Sequence, residues 1–300
     1  MPRSNRPLRY TQQYQINPNY TRGKYFYEKF GAANPSLLTV ASSITALPTA
    51  SAGQVDQMHT PGGYYAEVYQ TTAQTLQPIG NAKGLVLDGD QVDNESIEIV
   101  PGANAATSPY AFTVGTDSDF FFRATINIVD ASGSDQLLIG FRKAEAFAVP
   151  TSFLTTGDAG YTDFYGIGFA ATKANPNPVN VAYDIGDTGS TTVQAAGFTW
   201  ADNKVHTLEV RVIGGKAHSF INGNRLGNLV SVDGSGGIYG AGAAITAQQT
   251  VTGPSVTFTA ATVVVPFIFV RHDADVLSGC YLQEWEGGHL VDVGLDPNQE

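Results

Sequence analysis

Between residues 64 and 288 the apolar residues come in short runs of two-residue period, and no stretch sustains the spacing of an amphipathic helix. In FFFRATINI (120–128), Phe120, Phe122, Ala124, Ile126 and Ile128 fall on one side of an extended chain and Phe121, Arg123, Thr125 and Asn127 on the other. QLLIGFR (136–142) follows across ASGSD, and the pair reads as an antiparallel hairpin. Further strands are read at YYAEVYQT (64–71), GLVLDG (84–89), SIEIVPG (96–102), YGIGFAA (165–171), VNVAYDI (179–185), VTFTA (256–260), VVVPFIFVR (263–271) and CYLQEWEGG (280–288). Residues 204–226, KVHTLEVRVIGGKAHSFINGNRL, form a hairpin turned at Gly214-Gly215. Pro266 lacks a backbone donor inside an apolar run, which predicts a sheet edge or a bulge there. About a dozen strands with almost no helix imply two antiparallel sheets packed face to face. The fold class expected is an all-β, two-sheet sandwich over 61–300, preceded by an extended arm and connector over 1–60.

The arm is set apart by charge and aromatics. Residues 1–30 carry six basic residues against one acidic, a balance of +5, which leaves ten basic and 26 acidic, or −16, for the rest. Ordinary disordered tails are poor in aromatics, yet this one holds seven. Arg3, Arg6, Arg9, Tyr10, Tyr14, Tyr20, Arg22, Tyr25, Phe26, Tyr27 and Phe30 are therefore the candidate partner-binding residues, with the rings buried on a neighbouring subunit. Nucleic acid fits poorly, because the acidic body would repel the same polymer. Residues 31–54, uncharged and interrupted by Pro35 and Pro48, read as a semi-stiff connector.

Candidate chemistry is sparse. The single cysteine, Cys280, excludes an internal disulfide framework and reads as a small buried residue on a strand. MPRSNRPLRYTQQYQ lacks the apolar core of a secretory signal, so synthesis in the cytoplasm without a cleaved leader is expected, and no run is long enough to span a membrane. Glu284 and Glu286 share one side of a strand, but the E-x-D-x-x-E pattern of sandwich glycosidases is missing. The histidines at 59, 206, 218, 272 and 289 show neither metal-ligand nor triad spacing, although His206 and His218 could approach across the hairpin. No catalytic residue, metal ligand or cofactor is assigned. Turn-rich acidic stretches at 87–95, 232–237 and 271–279 suit a calcium-dependent sugar site, and Trp200 and Trp285 suit stacking on sugar rings, though turns and a buried core ask for the same residues.

TWADNKVHTLEVRVIGGKAHSFINGNRL (199–226) resembles the hairpin segment of concanavalin A-like and laminin G-like jelly rolls. FFFRATINI, LLIGFRK and FYGIGF resemble the preceding strands, and VVVPFIFVRHDADVLSGCYLQEWEGG (263–288) the closing ones, so the likeness covers about residues 64–292. The arm-plus-sandwich layout and the closing stretch resemble capsid decoration or cement proteins of tailed bacteriophages. That resemblance implies a non-enzymatic virion component, anchored by its arm to the major capsid protein or other virion subunits, with a homotrimer as the expected oligomer. The alternative, shared by the same architecture, is a lectin-like module that binds cell-surface glycan.

Overall fold

In a computed structural model, the residues described are 24–30, 54–59, 64–70, 80–81, 83–87, 95–133, 136–147, 161, 163–169, 175–186, 191–226, 229–233, 245–250, 255–271 and 279–290. In chain order the strands are β1 (Tyr25–Lys29), β2 (Gln54–His59), β3 (Tyr64–Gln70), β4 (Gly80–Asn81), β5 (Gly84–Val86), β6 (Ser96–Pro101) and β7 (Phe112–Thr113). They continue with β8 (Phe120–Ile128), β9 (Gln136–Lys143), β10 (Phe164–Phe169), β11 (Asn177–Asp184), β12 (Thr192–Trp200) and β13 (Lys204–Ile213). The last are β14 (Lys216–Ile221), β15 (Asn224–Arg225), β16 (Leu229–Asp233), β17 (Ile245–Thr250), β18 (Val256–Thr257), β19 (Val263–Arg271) and β20 (Cys280–His289). No helix occurs among the described residues.

The strands make a jelly-roll sandwich of two antiparallel sheets. The first runs β15-β14-β13-β8-β20-β5-β4, with β1 also on β20 and β18 on β14. The second runs β12-β11-β10-β9-β19-β6-β3-β2, with β7 on β19; β16 and β17 form a separate hairpin. Between the sheets, the even-numbered side of β8 meets Leu137, Ile139 and Phe141 of β9, Ile167, Val210, Trp200 and Trp285 in one continuous apolar core.

Two expectations are corrected. β8 and β9 are not a hairpin: β8 pairs with β13 and β20, and β9 with β10 and β19. Phe120, Phe122, Ala124, Ile126 and Ile128 of β8 and Leu137, Ile139 and Phe141 of β9 belong to one apolar cluster, and these sides are buried best when stacked sheet on sheet across the 129–135 connection rather than laid edge to edge. Pro266 marks neither an edge nor a bulge. It pairs with Phe141 inside β19, at the gap on the other side of that strand where β7 (against 263–264) has ended and β6 (against 268–271) has not begun. No ladder bond is called for there, so the missing N–H costs nothing.

A smaller core lies on the outer side of the second sheet. Leu138, Phe164, Val265, Phe267 and Phe269 are covered there by Tyr161, with Phe147 packed against them. Gly140 lies in the same ladder, where a Cβ would come within 2.0 Å of the Tyr165 carbonyl oxygen. Arg142 donates from Nε and Nη2 to Glu98 at 2.8 and 2.5 Å, with both side chains fully buried.

Candidate functional site

The segment Tyr25–Lys29 is a strand of the sandwich's first sheet. β1 pairs antiparallel with β20, Tyr25 opposite Gly288, Tyr27 opposite Glu286 and Glu28 opposite Trp285. Period two then divides the arm's aromatics. Phe26 and Phe30 turn inward, where Phe26 packs at 5.0–6.0 Å between ring centroids on Tyr110, Trp285 and Phe122, and Phe30 at 5.8 Å on Tyr64 and Trp285. Gly287 and Gly288 make this seat: a Cβ on Gly287 would stand 2.6 Å from the Phe26 ring, and one on Gly288 2.9 Å from Tyr25. Lys24 closes the start of the strand through a 2.7 Å bond to Asp117. Although its burial works against ionisation, that lysine and the Thr113 N–H hold the Asp117 carboxyl below its ordinary range. Phe26 and Phe30, expected to bury themselves on a partner, are thus spent on this chain's own core. Arg3, Arg6, Arg9, Tyr10, Tyr14, Tyr20 and Arg22 lie outside the described residues, and the boundary read at residue 60 is crossed by β1 and β2.

Tyr25 and Tyr27 turn outward and are the most exposed tyrosines described, at 42% and 48%. They border a polar surface formed by successive rows of the ladder. One row runs Tyr27, Glu286, Arg123, Glu209, Phe220; the next holds Glu284, Thr125 and Thr207. The Tyr25 hydroxyl donates to Glu286 Oε1 at 2.8 Å, and Arg123 forms an ion pair with the other oxygen. Tyr27 and Thr125 donate to the two oxygens of Glu284 at 3.4 and 3.3 Å, and the Thr125 and Thr207 hydroxyls bond at 2.8 Å. Arg211 donates to Glu209 at 2.5 Å with its guanidinium 4.0 Å from the centre of the Phe220 ring. Burial, then the bond to Glu286, pushes the Tyr25 phenol well above its ordinary pKa; burial and the Glu284 charge raise that of Tyr27. Both phenols are therefore neutral donors held in fixed orientation.

The other candidates are dispersed. Glu284 and Glu286 do share the outer side of β20, but Glu286 is only 2% exposed and is tied to Arg123 and Tyr25, an arrangement suited to holding position rather than passing protons. His206 and His218 stay apart, since His206 faces the core end, edge-on to Phe198 and Trp200, and His218 faces outward against Arg225. Burial lowers the pKa of both, with Arg225 adding to the effect at His218. Trp200, Trp285 and Cys280 are core residues. Most of the three turn-rich acidic stretches lies outside the described residues, among which no group of three or more potential metal ligands occurs. Sequence reasoning missed the Tyr25–Tyr27–Glu284–Glu286–Arg123 grouping because its halves lie about 260 residues apart; the signal available was the YFYEKF alternation, a strand pattern in a segment read as an arm.

No protein-family model and no curated sequence matches the chain. Solved structures similar in shape include the exoplasmic/lumenal domain of VIP36 in its metal-free form, at TM-score 0.44 and 8% identity over 77% of this chain and 87% of that one. The carbohydrate recognition domain of Emp47p is similar at TM-score 0.45 and 10% identity, over 78% and 91% of the two chains. Peanut lectin is similar at TM-score 0.44 and 11% identity, over 90% and 98%.

Proposed function

We propose that this protein is a non-catalytic, glycan-binding recognition module whose contact surface is the outer side of the first sheet along β1, β20, β8 and β13. The observation that carries this reading is the pair of exposed rings, Tyr25 and Tyr27, held by Glu286 and Glu284 beside Arg123, Thr125 and Thr207. A sugar ring presents an apolar face bounded by hydroxyls. Fixed phenol rings match the first, and carboxylates, hydroxyls and a guanidinium match the second, at little entropic cost because these groups are already bonded to one another. The closed Glu286–Arg123 pair speaks for binding rather than hydrolysis, since a general acid or nucleophile must be free to exchange a proton or attack.

The capsid-decoration reading drew much of its binding surface from Tyr25–Phe30, and with that segment seated in cis it rests on residues 1–23 and on resemblance. One screen separates the readings: the purified full chain against a glycan array, alongside sedimentation with phage capsids. Saturable glycan binding without sugar release supports recognition by the sandwich. Capsid binding with no glycan bound would return the function to the arm, and turnover of a glycan would make the protein an enzyme.

A further inference from the structure

One residue on the core-facing side of β1 is out of keeping with its neighbours. Glu28 stands between Phe26 and Phe30, opposite Trp285 in the ladder, with the Trp285 indole as its hydrogen-bond donor. Among the described residues the groups around it supply no compensating charge. Glu284, Glu286 and Arg123 belong to the opposite side of the sheet, Lys24 is paired with Asp117, and Lys83 lies over the Tyr281 ring. The other described titratable groups packed about the Phe26–Phe30 seat are the phenols of Tyr64 and Tyr110. Among the described residues β1 has one ladder neighbour, β20, so it can leave without breaking any other strand pairing.

We propose that Glu28 is a proton-operated latch: as a neutral acid it lets β1 seat on β20, and as a carboxylate it loosens the strand, so that protonation assembles the tyrosine half of the recognition surface. The consequence for binding rests on the proposed function; the latch itself does not. Burial pushes the Glu28 carboxyl from its ordinary 4.5 up to about 7, with the indole bond opposing. Because the folded value is the higher, the stabilisation of β1 is complete below about pH 4.5 and is lost as pH rises through 7. A shift of that size, undiscounted, is a few hundredfold in the seating equilibrium. Glu28 keeps contact with water, so about tenfold is expected.

The test is hydrogen exchange by mass spectrometry on the full chain at several pH values from 5.5 to 8.5, after correction for intrinsic exchange. Peptides covering residues 24–30 should open about tenfold more readily across that range, while peptides of β8 and β13 hold constant. Glu28→Gln, which keeps shape and hydrogen bonding without the charge, should stay protected throughout. A wild-type profile that is flat for residues 24–30, or the same rise in Glu28→Gln, would overturn the latch. If exchange follows pH as stated but binding to the best array glycan does not, the latch stands and the glycan reading fails.

Discussion

Phe26→Ala is the substitution that most sharply separates a strand in cis from an arm meant for a partner. Phe26 is 8% exposed and makes edge or tilted contacts with Tyr110, Phe122 and Trp285 at 5.0–6.0 Å. An aromatic side chain buries about 150–250 Å², worth about 4–6 kcal/mol at 25 cal/mol per Å². Truncation keeps the β-carbon, and relaxation recovers part of the loss, so about 3–5 kcal/mol is expected for a fixed strand. The cost is capped by the free energy of seating β1: beyond it the strand detaches and the rest of the sandwich remains. Denaturant titration followed by tryptophan emission reads both outcomes, because Trp285 lies under Phe26. The expected result is a loss of about 3 kcal/mol, or a red-shifted Trp285 in an otherwise folded protein. Tyr27→Ala, at an exposed position, should cost less than about 1 kcal/mol. Unchanged stability and unchanged Trp285 emission in Phe26→Ala would refute the seating of β1 in this chain's own core.

Gly287→Val should act like removal of β1, exposing Trp285 while leaving β8 and β13 protected in hydrogen exchange, because its side chain would occupy the space of the Phe26 ring. Arg142→Met should cost about 3–5 kcal/mol by stranding the buried Glu98 carboxylate; adding Glu98→Gln should recover much of that in the same denaturant assay. His206, whose pKa burial lowers, favours the folded state fully above its ordinary 6.5, and that contribution should fade as pH falls below it. His206→Phe should therefore flatten the stability profile on the acid side of about pH 6.5, read as the midpoint of thermal unfolding.

What the sequence made legible follows from how strictly each strand alternates. β8, β19 and the β13–β14 hairpin lie within a residue of where period two and the Gly214-Gly215 turn put them. β12 escaped, because TVQAAGFTW has small residues, several exposed positions and a register shift opposite Val179–Asn180 that breaks the period. β1 escaped for another reason: tyrosines on its outer side and Glu28 on its inner side blur the contrast that marks a half-buried strand. Partner choice between strands was the least legible, since period two tells which side of β8 is buried but not whether β9 lies beside it or across from it. The grouping on the outer side depends on that choice, as its rows join β1 to β20, β8 and β13.

Tyr25 and Tyr27, displayed by a strand of the sandwich itself, are the heart of the proposed recognition surface. Isothermal titration of the best glycan from the array into wild type and into the Tyr25→Ala/Tyr27→Ala double variant tests it most directly, with circular dichroism to establish that the variant is folded. The folded double variant should lose at least tenfold in affinity, about 1.4 kcal/mol or more. Undiminished affinity would contradict it and move the binding site off this side of the sheet.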